Sequence, residues 1–480
     1  MTTETDQSSP GAQDGAVRLP PALRRVILVT LLGSFMANLD STIVNVGLNT
    51  IAGDLDSSLA DIQWLVTAYL LAMAAVIPIT GWLAVRFGAT RLYVVATVVF
   101  TAASLACAVA TDATQLIVFR ALQGIGGGMC LPIAQMLLVG TAGPKLLARA
   151  MSVNAAPTLL APIIGPTLGG LLIQHAGWRW IFFVNVPIGV VTVGLALWLL
   201  TREAPRPAGR VDLPGFALLT TGSVAVTFGL AEIGGTGRLG APVVLVACGA
   251  GVVLLALFVW HALRASNPLL DLRLFKNKVY SAASLTNACV GATVFGAIIL
   301  LPLYFQIVRG EDQVSTGLLL IPQGTGAAIA IWFGARLIER FGAGMTTLIG
   351  GVVGIVSTLP FVFVQADTSL VWLGVVMFVR GVGIGLVVVP ATAAAYRAIP
   401  PARIQDASVQ MNVGQRLGGS VGAAVLTVVL QQQVAGATTP EAAASGFGTA
   451  FAWVVGVAVV ATIPAILLAS AERKAARTAA

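Results

Sequence analysis

Fourteen apolar stretches, separated by short polar segments, follow one another along this chain. The hydrocarbon core of a bilayer is about 30 Å thick, and a helix needs roughly 20 apolar residues to cross it. Only 10% of the residues are charged, against about 25% in soluble domains, so a water-soluble core could not bury these segments. We therefore expect an all-α polytopic membrane protein with transmembrane helices near 24–48, 62–84, 91–111, 113–140, 147–174, 179–201, 213–232, 240–264, 279–305, 315–337, 346–366, 370–395, 404–431 and 447–470.

The lysines and arginines lie mostly on one side of the membrane that these helices define. Of the 27 Lys and Arg residues, 21 fall on the side of the N-terminus, whereas the other side carries only Arg179, Arg238 and Arg309. Short loops rich in Lys and Arg stay in the cytoplasm. This sorting supports the helix number and predicts that both termini are cytoplasmic. It also accounts for the net charge of +8, so we expect no nucleic-acid partner.

The sequence lacks the motifs of ATP hydrolysis and of metal catalysis. No lysine follows a glycine, so there is no phosphate-binding loop. His175 and His261 are predicted at opposite membrane faces, and the four cysteines show no zinc or disulfide spacing. We therefore expect no enzymatic activity, no cofactor and no obligate protein partner. The remaining class of function is movement of a compound across the bilayer, driven by a gradient.

A few ionisable residues lie deep in the predicted helices, where a charge costs about 2.5–3.5 kcal/mol on insertion scales and is usually paired or functional. Asp40 in the first helix and Arg120 in the fourth are predicted at compatible depths, so they can pair. A proton-coupling carboxylate and a static ion pair both account for this pattern. Arg380 and Arg416 are the other deep charges, and we expect Arg416 to support packing or the cytoplasmic gate.

Polar residues of the first helix form a stripe that excludes Asp40. At about 100° per residue the stripe occupies one face, whereas Asp40 projects more than about 90° from its centre. One of these directions is expected to line a cavity and the other to contact a neighbouring helix, and the sequence leaves open which. The candidate residues of the substrate cavity are Asn38, Ser41, Asn45, Gln123 and Arg380.

Glycine and proline patterns indicate helices that pack closely and bend. Small residues spaced by four let membrane helices approach one another. Prolines in the fifth helix remove backbone donors and favour bending there. The glycine pairs are Gly124 with Gly128, Gly165 with Gly169 and Gly381 with Gly385, and the prolines are Pro157, Pro162 and Pro166.

An internal repeat divides the chain into two halves. The tetrapeptide RFGA at 86–89 recurs at 340–343, 254 residues later. Duplicated halves with a midplane site between them are the architecture of alternating-access transporters. The predicted organisation is a disordered cytoplasmic tail at 1–23, a six-helix bundle at 24–201, a linker with two inserted helices at 202–278, a second six-helix bundle at 279–470 and a tail at 471–480.

Over roughly residues 24–470 the chain resembles the fourteen-helix drug:proton antiporters of the major facilitator superfamily. LDSTIVNV at 39–46 is similar to that family's first-helix motif. The run at 120–128 resembles the motif whose arginine is implicated in proton coupling, and the run at 161–170 resembles the motif typical of antiporter-type exporters. WRWIFFVNVPIG at 178–189 is also similar to the family.

The resemblance implies the major facilitator fold, in a bacterial inner-membrane exporter that exchanges an amphipathic compound for protons. Asp40 would carry the proton, with Arg120 as its partner. Val85 stands where the family carries an acid, which indicates a gate held by packing or a shifted conformational balance, and Glu339 could take part of the acid's role. A facilitator or importer of a small metabolite and a non-transporting sensor are the alternatives. The gating and bending candidates are Gly81, Arg86, Gly88, Arg91, Pro162, Gly165, Pro166, Gly169, Gly170, Glu339, Arg340 and Arg416.

Overall fold

Helices make up nearly all of the chain that the computed structural model describes, namely residues 19–201, 209–236, 240–434 and 439–479. No strand occurs in these ranges, so the predicted all-α fold is confirmed. The helices are α1 (Pro21–Asp54), α2 (Leu59–Phe87), α3 (Ala89–Ala108), α4 (Ala113–Ala176), α5 (Trp180–Phe183), α6 (Asn185–Leu199), α7 (Leu213–Thr236), α8 (Pro242–Arg264), α9 (Lys278–Leu303), α10 (Gln313–Leu319), α11 (Ile321–Phe341), α12 (Ala343–Val362), α13 (Leu370–Arg397), α14 (Ile404–Val434) and α15 (Pro440–Ala479). Short turns of 3-10 helix at Leu272–Lys276 and Pro401–Arg403, and a π-helical turn at Tyr304–Val308, join some of them.

Thirteen helical segments in the described part of the chain are long and apolar enough to cross a membrane. The fifth of the fourteen predicted helices is not among these thirteen segments, and it corresponds to the second half of α4. That half begins after Gly143, whose φ of 63° and ψ of 171° break the helix. The chain reverses there, because Arg120 in the first half and Gly165 in the second half lie at the same level of α1. Pro157 and Pro162 lie outside the residues whose side chains are described.

The structure describes only part of each of the two predicted tails. Residues 1–18 of the predicted N-terminal tail lie outside the described residues, and α1 begins at Pro21. At the other end, α15 continues to Ala479 through the segment predicted as a tail. Glu472 explains part of this extension, because its carboxylate accepts hydrogen bonds from the N–H groups of Ala343 and Gly344. These are unpaired donors at the start of α12, where a negative charge is stabilising.

Side-chain caps account for where several helices begin. The oxygens of Ser58, Asp112, Asn277, Asp312 and Ser369 accept hydrogen bonds from the first turns of α2, α4, α9, α10 and α13. A cap satisfies one of the backbone N–H groups that a helix start leaves without a partner. The helix starts are therefore encoded locally, in the short polar segments between the apolar runs.

The two halves of the chain pack their glycine-rich helices in the same way. Gly124 and Gly128 of α4 face α2 while Gly126 faces α3, and in the second half Gly381 and Gly385 of α13 face α11 while Gly383 faces α12. We call these two sets the glycine triplets; each residue of the second set lies 257 positions after its counterpart. A Cβ on Gly381 would lie 1.9 Å from the carbonyl oxygen of Gln323, so only glycine allows this approach.

Antiparallel crossings give the molecule two distinct faces. The ends of α1 and α2 illustrate them: α1 begins beside Arg24 and Arg25 and ends at Asp54, and α2 returns to Arg86. We call the first side the Arg-rich face. The opposite side, which carries Asp54, Asp112, Glu311, Asp312 and Asp367 at helix ends and in connecting segments, is called the acidic face.

Candidate functional site

A fully buried ion pair joins α1 to α4. Arg120 Nη1 lies 2.7 Å from Asp40 Oδ2, and the two side chains are 1% and 0% exposed. An uncompensated charge at such depth would be costly, so each residue supports the other in the membrane interior. The structure thus brings together the two residues for which the sequence predicts compatible depths.

Asp40 accepts hydrogen bonds from three side chains. Besides Arg120, Gln123 Nε2 and Asn185 Nδ2 each donate to Asp40 Oδ1 at 2.9 Å. Asn185 also donates to Ser104 Oγ, at 3.1 Å. Hydrogen bonds to an ionised acceptor are stronger than neutral ones, so these three donors fix the orientation of the carboxylate. We call Asp40, Arg120, Gln123, Asn185 and Ser104 the buried polar cluster.

The guanidinium of Arg120 is held on its other sides by α2 and α4. Its Nε donates to the carbonyl oxygen of Leu65 at 3.3 Å, and Nη1 donates to Gln123 Oε1 at 2.8 Å. Its Cζ lies 4.1 Å from the centre of the Tyr69 ring, a distance at which a cation is attracted to the aromatic face. The close approach of α2 that allows these contacts depends on Gly124, where a Cβ would lie 2.5 Å from the Tyr69 carbonyl oxygen.

Two members of the cluster are absent from the sequence-based site. Asn185 begins α6 and Ser104 lies in α3, so the cluster draws on helices other than α1 and α4. A lone amide inside the apolar run of 178–189 was the available signal for Asn185. Gln123 is predicted to line a cavity, but the structure places it at 0% exposure between the two charged groups. Its neutral side chain bridges the acid and the arginine.

A cavity lies at the acidic face between the two halves of the chain. Its volume is about 540 Å³, and its polar lining includes Asn49, Gln174, Gln306, Glu311 and Asp312. Backbone and side-chain hydrogen bonds from Ser315 hold the pKa of Asp312 below its ordinary value, since they favour the charged carboxylate. A volume of this size falls within the roughly 300–1,000 Å³ of small-molecule pockets.

The polar stripe of α1 leads towards this cavity. Ser34 is buried, Asn38 and Ser41 are half-buried, and Asn45 and Asn49 are exposed. Asn49 lines the cavity, whereas Asp40 points into the helical bundle. The question left open by the sequence therefore has an answer: the stripe side faces open space near the acidic face, and Asp40 contacts neighbouring helices.

Side chains of the two halves meet near the Arg-rich face. Gln135 Oε1 in α4 accepts hydrogen bonds from the Tyr396 hydroxyl of α13 at 3.0 Å and from Asn412 Nδ2 of α14 at 2.8 Å. Tyr396 also bonds to Ser408 Oγ at 2.9 Å. Gly81 of α2 lies close to α14, since a Cβ added to it would be 3.3 Å from Val409 Cγ2. We call the hydrogen bonds from Tyr396 and Asn412 to Gln135 the closing contacts.

The predicted bending run of the fifth helix packs on α1 and on α10. A Cβ on Gly165 would lie 2.2 Å from Thr42 Oγ1, and one on Gly169 would lie 2.9 Å from Ile43 Cγ1. Gly170 instead faces Val314, in the other half of the chain, at 3.4 Å. Pro166 is half-buried. This run therefore connects α1 to the second half of the chain at the acidic face.

The remaining gating candidates, apart from Arg416, lie in or beside the two RFGA segments. Gly88 and Gly342 have φ of 87° and 82°, a conformation that residues with side chains rarely adopt. Among the described residues no salt bridge joins the exposed Arg86, Arg91, Glu339 or Arg340 in this conformation, and the role of Glu339 stays a prediction. Arg416 is half-buried in α14. The positive φ of the two glycines sets the backbone geometry of these turns.

Arg380 lies apart from both sites. It is 3% exposed in α13 and lines a separate cavity inside the second half of the chain. Its Nη1 donates to Gln323 Oε1 at 2.8 Å and its Nε to Thr358 Oγ1 at 3.3 Å. The sequence predicts Arg380 as a residue of the substrate cavity, and in the structure it lines this separate cavity beside α9, α12 and α15.

Comparisons with known proteins agree with this architecture. A family model described as "Major Facilitator Superfamily" matches residues 30–423. "Multidrug resistance protein B homolog" of Mycobacterium tuberculosis is 37% identical over 419 residues, covering 87% of this chain and 78% of the relative. "Multidrug export protein EmrB" of Escherichia coli is 32% identical over 422 residues, covering 84% and 80%.

Among solved structures, the human organic anion transporter MFSD10 superposes with a TM-score of 0.64. The two sequences are 14% identical, and the match covers 94% of this chain and 100% of the other. At this identity the similarity concerns the fold alone.

Proposed function

This chain belongs to the major facilitator superfamily, and from that premise we propose that it exports amphipathic drugs or antibiotics in exchange for protons by alternating access. It is a multi-pass membrane protein of bacterial type. The names of the mycobacterial and E. coli relatives support the substrate class. The buried polar cluster supports the coupling to protons, with the gradient as the energy source in place of a cofactor.

The orientation in the membrane is part of the same proposal. The Arg-rich face is cytoplasmic, because short loops rich in Lys and Arg remain on that side. Both termini are then cytoplasmic, in the inner membrane of a bacterium. The units at 24–201 and 279–470 move relative to each other, while the protein takes a small amphipathic molecule, protons and the lipid bilayer as its partners.

Asp40 is the residue on which coupling depends, and its burial is the observation that carries the proposal. A proton on Asp40 neutralises the carboxylate and removes an acceptor from Arg120, Gln123 or Asn185. The packing of α1 on α4 and α6 then loses charge-assisted hydrogen bonds. Because Asp40 is 0% exposed here, the proton reaches it only when these helices separate. Protonation and helix movement are thereby linked.

Alternating access is supported by the unequal faces of the molecule. The closing contacts hold the Arg-rich face shut, whereas the cavity of about 540 Å³ lies at the acidic face. The close packing of Gly165 and Gly169 on α1 would transmit a movement of α1 to the second half of α4. Arg120 is the charge partner of Asp40, and the glycine turns at Gly88 and Gly342 allow the helices beside them to move.

Proton flux in proteoliposomes tests the proposal. We expect that adding hydrophobic drugs to proteoliposomes of the native chain releases protons, and that Asp40→Asn abolishes this release while retaining drug binding. Asp54→Asn is the matched control, because Asp54 is an exposed carboxylate at the end of the same helix, paired with Arg179 at 3.0 Å. Its variant is expected to release protons like the native chain.

Other outcomes would assign a different function. Unchanged release in Asp40→Asn would move coupling to another group and leave the Asp40–Arg120 pair as a structural element. Drug transport without any proton release from the native chain would indicate a facilitator. Drug binding without transport would indicate a sensor.

A further inference from the structure

We propose that the cavity beside Arg380 binds a small monovalent anion, such as chloride, as the counter-charge of this arginine. The inference does not depend on the proposed export, since it concerns a site lined only by residues of the second half of the chain. It begins from the charge of Arg380, which has no acidic partner among the described residues. Arginine stays protonated in proteins, so its charge must be balanced in another way.

The contacts of Arg380 leave its guanidinium incompletely satisfied. Its hydrogen bonds go to the neutral oxygens of Gln323 and Thr358, through Nη1 and Nε. A guanidinium carries five N–H donors, so further donors are available to an anion in the cavity. Burial of the charge at 3% exposure adds a large desolvation penalty that neutral oxygens offset only in part.

The cavity has the size of a small-ion site. Its volume is about 60 Å³, and its lining combines Arg380 with Thr293 of α9, Thr347 of α12 and Thr462 of α15. A single water needs roughly 10–15 Å³ of such volume, so one monoatomic anion and a few waters fit. Drug-sized ligands occupy roughly 300–1,000 Å³ and are excluded.

The first half of the chain shows which group supplies the negative charge at the equivalent place in the internal repeat. In the 257-residue register of the glycine triplets, Arg380 takes the place of Gln123. Gln123 belongs to the buried polar cluster, in which the carboxylate of Asp40 supplies the negative charge. In the second half, α9 corresponds to α1 and contains no aspartate or glutamate. The second half therefore carries its buried arginine three residues beyond the counterpart of Arg120, which is Met377, and lacks a fixed anion on the corresponding helix. A diffusible anion would supply the missing negative charge.

Equilibrium binding of radiolabelled chloride to the full chain, purified in detergent with gluconate as the other anion, tests the proposal. We expect one saturable site per protein, and at least a tenfold loss of affinity in Arg380→Gln, because a charge at about 4 Å acts strongly in a medium of low dielectric constant. Arg264→Gln is the control, since Arg264 is an exposed arginine stacked on Trp260 at 4.4 Å. Its chloride affinity is expected to match that of the native chain.

Two further measurements keep the result interpretable if Arg380→Gln folds poorly. Arg380→Lys keeps the charge and is expected to retain binding. Crystals of the native chain soaked in bromide are expected to show an anomalous peak beside the Arg380 guanidinium. Bromide peaks only at other positions, or no saturable binding of chloride, would overturn the chloride site. Binding of acetate but not of chloride would instead assign the anion site to a carboxylate group.

Discussion

Replacing Gln135 with methionine is expected to open the Arg-rich face by removing both closing contacts. Methionine keeps the length of the side chain, but its thioether sulfur is only a weak acceptor and replaces the amide oxygen that binds Tyr396 and Asn412. Both donors retain a second partner, because Tyr396 bonds to Ser408 Oγ at 2.9 Å and Asn412 to the Ser408 carbonyl at 2.8 Å. The Tyr396 hydroxyl therefore keeps a partner in the variant, whereas one of the two N–H groups of Asn412 Nδ2 loses its acceptor.

The expected magnitude follows from these two bonds. A hydrogen bond contributes about 0.5–1.5 kcal/mol net, so the closed state loses about 1–3 kcal/mol relative to a state in which the halves are apart. Since 1.4 kcal/mol is a factor of ten in an equilibrium constant, the ratio of closed to open molecules should fall by roughly 5- to 150-fold. Tyr396→Phe removes only one closing contact and should produce a smaller shift in the same direction.

Distances between spin labels on the Arg-rich face measure this ratio. The exposed Phe87 and Phe341 occupy equivalent positions in the two RFGA segments, and they can be labelled in a cysteine-free background. Thr141→Val is the control, because the Thr141 hydroxyl bonds only within α4, to the Leu137 carbonyl at 2.8 Å. An unchanged distance distribution in Gln135→Met, or an equal change in Thr141→Val, would refute the reasoning.

Three further predictions concern stability, measured as Tm in detergent. Asn185→Leu, which removes one donor from the Asp40 carboxylate, should lower stability by about 1.5–3 kcal/mol, and a Tm equal to the native value would contradict its role. Gly381→Ala should be strongly destabilising, because the added Cβ would lie 1.9 Å from a backbone oxygen. Gly354→Ala is the control and should be tolerated, because open space lies beside Gly354. Equal losses of Tm in the two variants would be inconsistent with this packing. Burial raises the pKa of Asp212, but hydrogen bonds from Gly215, His261 and Leu269 outweigh it and leave the pKa below its ordinary value. The stability that Asp212 contributes is therefore present above about pH 4 and is lost as the pH falls through the lowered pKa. The difference in Tm between the native chain and Asp212→Asn should shrink in acid. A difference that does not change with pH would argue against this assignment.

The sequence was sufficient for the features that each segment determines by itself. Whether a helix can cross a bilayer depends on the apolar length of that one segment, and its orientation depends on the Lys and Arg residues beside it. The predicted all-α membrane fold and the family followed from such local properties and from motifs such as 39–46 and 161–170. The depth of Asp40 and Arg120 is also a local property, because the rise per residue of a helix is constant.

Only the tertiary structure decided which side chains share a site. Helical periodicity gives the direction of a side chain relative to its own helix, but it does not say which neighbouring helix lies there. Gln123 and Arg380 therefore could not be separated by sequence, although one bridges the buried ion pair and the other lines a cavity without an acid. Asn185 joins Asp40 across 145 positions of the chain, and Tyr396 reaches Gln135 across 261. Contacts over such separations arise from the packing of whole helices, which the glycine triplets permit and which no single segment encodes.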